Sequence, residues 1–129
     1  MATVLPRGPF RDETYVAAED LSDYQYHQVD LTSATTVSAS DANDESIGIL
    51  QNAPESGQQA IVRTAGESFC MADGTTDIAL NDGVDADASA HAIKQETDKG
   101  WVVGYARETY TSATVAAIVV DVRPGTLSV

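Results

Sequence analysis

Short apolar segments separated by turn-forming residues constrain this sequence more than any other feature. Residues 46–50 are largely apolar, Pro54 and Gly57 follow them, and residues 59–64 form the next such segment. Proline fixes φ and glycine permits positive φ, so the two together mark a turn between strands. Such segments recur at short spacing, and none shows sustained helical periodicity. The pattern predicts an all-β barrel or sandwich with little helix.

Other segments extend this prediction along the 129 residues. Residues 24–31 alternate in side-chain type as a half-buried strand does, and residues 12–21 are compatible with a short helical turn. Further strands are predicted at residues 35–37, 68–72, 101–106 and 114–122, the last ending at Pro124 and Gly125. We therefore expect an extended N-terminal arm with a short turn (residues 1–22) and one β domain (residues 23–129).

The N-terminal arm has an unusual composition. Pro6 and Pro9 exclude a helix there and favour extended backbone. Residues 1–11 contain two arginines and no acid, so they carry +2 while the other 118 residues carry −15. The segment is either a disordered terminus or an arm that docks on a partner. The candidate docking residues are Thr3, Val4, Leu5, Pro6, Arg7, Pro9, Phe10 and Arg11.

Two parts of the sequence resemble each other. Residues 47–49 followed by 60–62 are similar to residues 103–105 followed by 117–119, and a glycine, Gly48 or Gly104, interrupts the first strand of each pair. A glycine inside a strand often marks a bulge or a close approach of another backbone. The similarity indicates an internal repeat, although two strand–turn–strand units can also look alike by chance.

The net charge of −13 limits the partners. Binding to nucleic acid needs clustered lysine and arginine, and binding to anionic membranes needs a basic surface, so we expect neither partner. No apolar stretch approaches the roughly 20 residues of a membrane span, and the N-terminus lacks the pattern of a secretory signal. We expect synthesis in the cytoplasm.

Motifs for catalysis are absent from the sequence. It contains no Gly-x-Ser-x-Gly, no phosphate-binding glycine loop, a single cysteine (Cys70) and only two histidines, His27 and His91. Cys70 lies in an apolar run, which favours a buried and unreactive thiol over a Cys–His pair. We expect a protein without enzymatic activity and without a cofactor.

An acidic stretch deserves separate consideration as a calcium site. Asp82, Asp85 and Asp87 place three carboxylates within six residues, a density that can hold calcium. The glycine comes too early for an EF-hand loop, and no glutamate follows at the required distance. The alternation of Asp with Ala is more typical of a solvated face of a strand or loop, so no metal site is expected.

Residues 46–66 resemble the signature of small capsid decoration, or cement, proteins of tailed viruses. Those chains combine a hydrophobic-Gly-hydrophobic-Leu strand, a Pro-x-x-Gly turn and an Ala-x-Val strand that ends at glycine. A later Val-Val-Gly element, here residues 102–106, and an apolar final strand, here 117–122, are also usual. The resemblance covers about residues 24–123 and departs from the pattern between Asp73 and Asp87, where the sequence is rich in aspartate.

The resemblance implies a compact β-barrel-like decoration protein that lies on the exterior of the virion. It implies a homotrimer at three-fold and quasi-three-fold positions, with the arm docked on the major capsid protein. Trp101 and Tyr105 are then candidates for the subunit interface.

Two other functions remain open from sequence. A β-barrel module that binds a carbohydrate or host surface would use exposed aromatic side chains, for which Trp101, Tyr105 and Tyr110 are candidates. A small hydrolase with calcium is the third alternative.

Overall fold

Strands form the whole of the regular structure. The computed structural model describes residues 5–42, 44–96, 100–112 and 115–126, and these ranges contain no helix, hence none that could cross a membrane. The all-β prediction is confirmed. The strands are β1 (Arg11–Ala17), β2 (Gln28–Leu31), β3 (Thr36–Ala39), β4 (Gly48–Leu50), β5 (Gln59–Ala72), β6 (Gly83–Ala86), β7 (Ala92–Lys94), β8 (Trp101–Ala106) and β9 (Ala116–Thr126).

The first five strands close on themselves. β1 pairs in parallel with β3, and the pairs β3–β2, β2–β4, β4–β5 and β5–β1 are all antiparallel. This circuit leaves no free sheet edge, which is the property that defines a barrel. Its core contains buried Leu21, Val29, Val37, Leu50 and Val62.

The remaining strands repeat this topology with the second half of β5. β5 pairs in parallel with β7, and the pairs β7–β6, β6–β8, β8–β9 and β9–β5 are antiparallel. The second core contains Cys70, Val84, Val103, Ile118 and Val120, among others. The two barrels thus share the 14-residue strand β5, whose first half closes one circuit while its second half begins the other.

The internal repeat predicted from sequence is confirmed, with a correction of one residue. Ile49 pairs with Arg63 in the first barrel, and Tyr105 pairs with Asp121 in the second, so β5 corresponds to β9 at an offset of 58 residues. Residues 60–62 therefore match 118–120 and not 117–119. The corrected register places buried Ala60 and Val62 on buried Ile118 and Val120, whereas the uncorrected one places Ala60 on half-buried Ala117.

Several expectations for individual segments are wrong. Residues 11–17 form β1 and not a helical turn, because alternate side chains from Glu13 onward turn inward against β5. The segments 59–64 and 68–72 belong to one strand that continues through Gly66, and β9 continues past Pro124 and Gly125. The aspartate-rich stretch contains β6, in which all four residues are buried, so it is not a solvated face.

Candidate docking surface

Two carboxylates lie side by side at the junction of the barrels. Glu67 of β5 pairs directly with Asp121 of β9, and their side chains are 14% and 20% exposed. Like charges placed opposite each other on neighbouring strands repel. The arrangement therefore requires cations close by.

Three arginines supply that positive charge. The guanidinium of Arg7 contacts the two oxygens of Glu67 at 3.3 and 3.4 Å, and its backbone N–H donates to the same group at 3.0 Å. Arg107 and Arg123 both contact Oδ2 of Asp121, at 3.2 and 3.1 Å. Guanidinium–carboxylate contacts of this kind are charge-assisted, so they offset the repulsion between the two acids.

A fourth arginine connects this group to the first barrel. Arg63 contacts both oxygens of Asp12 at 2.8 and 3.2 Å and donates to the main-chain carbonyl of Glu67 at 3.0 Å. We call the surface formed by Arg7, Arg63, Arg107 and Arg123 with Asp12, Glu67 and Asp121 the arginine face. The fifth arginine, Arg11, lies at its margin and pairs with Glu13 at 3.9 Å.

The N-terminal arm rests on the arginine face. The guanidinium of Arg63 lies 3.7 Å from the centre of the Phe10 ring, a cation–π contact. Gly66 has φ of +95°, and a Cβ there would come within 2.5 Å of the carbonyl oxygen of Pro9. Only glycine satisfies both conditions, so the arm depends on the glycine at the centre of β5.

An open cleft separates the arm from the second barrel. Its volume is about 390 Å³, and it lies between Arg7 and Pro9 on one side and Arg107 and Asp121 on the other. Both signs of charge line it, which suits a polar contact better than an apolar ligand.

The predicted docking residues have different positions in the structure. Leu5 is 75% exposed and Phe10 is 47% exposed, so both present apolar surface. Arg7 and Arg11 are predicted from the sequence to contact a partner, and in the structure they pair with acids of their own chain. Thr3 and Val4 lie outside the described residues.

The aromatic candidates do not form a binding platform. Trp101 is half-buried, and its indole N–H donates to the carbonyl of Ser46 at 2.9 Å. Tyr105 is half-buried with Arg123 4.9 Å above its ring. Tyr110 is only 7% exposed and belongs to the second core, so the sequence was wrong to count it as a surface residue.

The residues considered for metal binding or catalysis have other roles. Asp82 accepts from the N–H of Ala79, Asp87 accepts from the N–H of His91, and Asp85 accepts from the amide of Gln95. Within the described ranges no group of three His, Cys, Asp or Glu side chains is arranged to hold a metal. Cys70 is fully buried as predicted, and burial raises its pKa to about 12.

Comparison with solved structures finds a match over nearly the whole chain. The head fiber gp8.5 N base in bacteriophage phi29 superposes with a TM-score of 0.62 at 14% identity, over 93% of this chain and 99% of that one. The fold resembles a phage head-fibre base. This agrees with the resemblance to capsid-associated viral proteins seen in the sequence. No family model and no curated protein matches the chain.

Sequence reasoning missed most of the arginine face. Arg63, Arg107 and Arg123 are far apart in sequence, and the 60 residues between Arg7 and Glu67 give no local signal that they meet. One sign was available: arginine outnumbers lysine five to two in a chain with 20 acids.

Proposed function

We propose that this chain is a non-catalytic structural protein of a virion. It binds the outer surface of an assembled tailed-virus capsid and stabilises it. It acts as a homotrimer at three-fold and quasi-three-fold sites, with the arm docked on the major capsid protein. It is made in the host cytoplasm and leaves with the particle.

One observation carries this proposal: the fold matches a phage head-fibre base over 93% of the chain. The match indicates a fold used on a phage head, and the residues add a means of attachment. Leu5 and Phe10 expose apolar surface next to the arginines of an otherwise acidic protein. Apolar side chains combined with arginine are typical of protein interfaces.

A trimer strengthens such attachment without a tight individual contact. When three arms of one assembly engage the same shell, the second and third bind at high effective concentration. The proposal therefore predicts a particle three times the mass of one chain, which sedimentation equilibrium measures directly.

Deleting residues 1–6 tests the role of the arm. The shortened chain keeps Arg7, with its contacts to Glu67, and Phe10, with its contact to Arg63. We expect its melting temperature to stay close to that of the full chain, while its coating of shells prepared without the protein is lost. A shortened chain that folds and still coats these shells completely would show that residues 1–6, Leu5 among them, are not the attachment.

A further inference from the structure

Charge is unevenly divided between the arginine face and the rest of the molecule. The face contains four arginines and three acids, which gives +1, and a chain of −13 then carries −14 elsewhere. The rest of the chain taken together therefore repels an acidic partner. At the arginine face the carboxylates are already neutralised by guanidinium groups.

The four arginines differ in how much of the side chain is free. Arg63 is 13% exposed and Arg107 is 33% exposed, so these two hold the face together. Arg7 and Arg123 are 76% and 61% exposed. A guanidinium has five N–H donors, and an exposed one retains donors after it pairs with one carboxylate group.

Composition also distinguishes this face. Its cations are all arginine, and exposed Phe10 and half-buried Tyr105 lie against them. Arginine and aromatic residues are enriched at protein interfaces, whereas lysine is depleted. The described lysine, Lys94, lies on β7 and pairs with Asp82.

We propose that the arginine face is the contact surface of the folded body, and that its partner is an acidic surface of the capsid protein. This rests on the proposed function and extends it, because it adds Arg123 and Arg107 of the second barrel to the arm. A protein carboxylate matches the planar fork of a guanidinium in two-point contact.

Two charge reversals with matched surroundings test the proposal. Arg123→Glu and Lys94→Glu each change the net charge by the same amount, and each places a glutamate beside an aspartate, Asp121 or Asp82. The measurement is the concentration of full-length protein that half-saturates shells of the encoding virus prepared without it. We expect a rise of about tenfold or more for Arg123→Glu and a change of less than about twofold for Lys94→Glu.

A milder substitution and chemical modification of the arginines distinguish a loss of binding from a loss of folding. Asp121 keeps Arg107 as a partner when Arg123 is replaced, so Arg123→Gln should fold and show an intermediate loss of affinity. Modification by phenylglyoxal, read by mass spectrometry, should show Arg7 and Arg123 protected on coated shells and reactive in the free protein.

Each contrary result has a distinct meaning. If wild type coats shells and both reversals bind equally well, the arginine face is not the contact surface, and the proposed function stands. If wild type does not coat shells at all, both proposals fail. If Arg123→Glu changes the oligomeric mass and the half-saturating concentration of chains stays that of wild type, a second copy of the chain occupies the face and the proposed partner is wrong.

Discussion

The side-chain amide of Gln28 donates a hydrogen bond of 2.8 Å to the main-chain carbonyl of Asp85, and this bond joins the first barrel to the second. Gln28 is fully buried, and its carbonyl oxygen accepts from the hydroxyl of Ser46 at 3.1 Å. Its backbone N–H donates to Ala90 of the second barrel. Removing this buried amide is costly, since the Asp85 carbonyl and the Ser46 hydroxyl each lose a hydrogen bond in the interior.

Replacement of this glutamine should therefore destabilise the protein. We expect Gln28→Ala to lower the free energy of unfolding by about 2 kcal/mol, through lost hydrogen bonds and a small cavity. Urea denaturation measures the loss. The matched control is Gln25→Ala. The exposed amide of Gln25 donates to the carbonyl of Gln51, and its loss should cost less than about 0.5 kcal/mol. Equal losses in the two variants would contradict this role of Gln28.

The equivalent glycines of the two barrels should both resist substitution. A Cβ at Gly48 would overlap the carbonyl oxygen of Arg63, and a Cβ at Gly104 would overlap that of Asp121. Backbone cannot move aside as a flexible side chain can, so Gly48→Ala and Gly104→Ala should each cost about 3 kcal/mol or prevent folding. Gly125→Ala is the control, because within the described residues no atom beyond the adjoining chain lies within 4 Å of its added carbon. Thermal melts of the three variants decide the matter.

The ionisation of Asp30 should lower the stability of the protein as the pH rises from about 4 to about 7. Burial, followed by a hydrogen bond with the carboxyl of Asp44, raises the pKa of Asp30 from 3.8 to about 7. Between these values the folded state holds a proton that the unfolded chain has lost, so the contribution of this group to stability falls from pH 4 to pH 7. Above pH 7 Asp30 is ionised in both the folded and the unfolded state, and the full destabilisation caused by its buried charge is present.

The variant Asp30→Asn tests this pH dependence. It removes the ionisation, so we expect a higher melting temperature than wild type at pH 8 and a similar one near pH 4. A difference that is constant across the range would mean that the ionisation of Asp30 is not the cause.

The thiol of Cys70 should be inert in the folded protein. Its full burial and its pKa of about 12 leave almost no thiolate at neutral pH, and the thiolate is the reactive form. A thiol-reactive dye should therefore label the native protein only as fast as the protein unfolds, and should label it at once in denaturant. Rapid labelling of folded protein would indicate that the second barrel opens locally.

The local sequence pattern predicts several strands well, but it predicts poorly which strands pair with each other. Trp101–Ala106 is a strand with the bounds predicted, because alternating apolar residues and Gly104 are sufficient signals. The sequence predicts a helical turn at residues 12–21, where the structure has β1, because the strand character of β1 comes from pairing with β5, about 50 residues away. β7 was missed because it is three residues long and pairs in parallel with a single residue of β5.

The docking surface shows the same limit. The arm was recognised from its prolines and its arginines, which are local features. Its contacts with Gly66 and Glu67 join residues nearly 60 positions apart in the chain. A single sequence contains no local pattern that predicts such contacts.

The sharing of β5 between the two barrels has a consequence for how the protein unfolds. The strand pairs with β1 and β4 in the first barrel and with β7 and β9 in the second, so its loss opens both circuits. A protease cut beside Gly66 would divide both barrels with one broken bond. Heating should accordingly unfold the two barrels in a single calorimetric transition, with a van't Hoff enthalpy equal to the measured one, as for one cooperative unit.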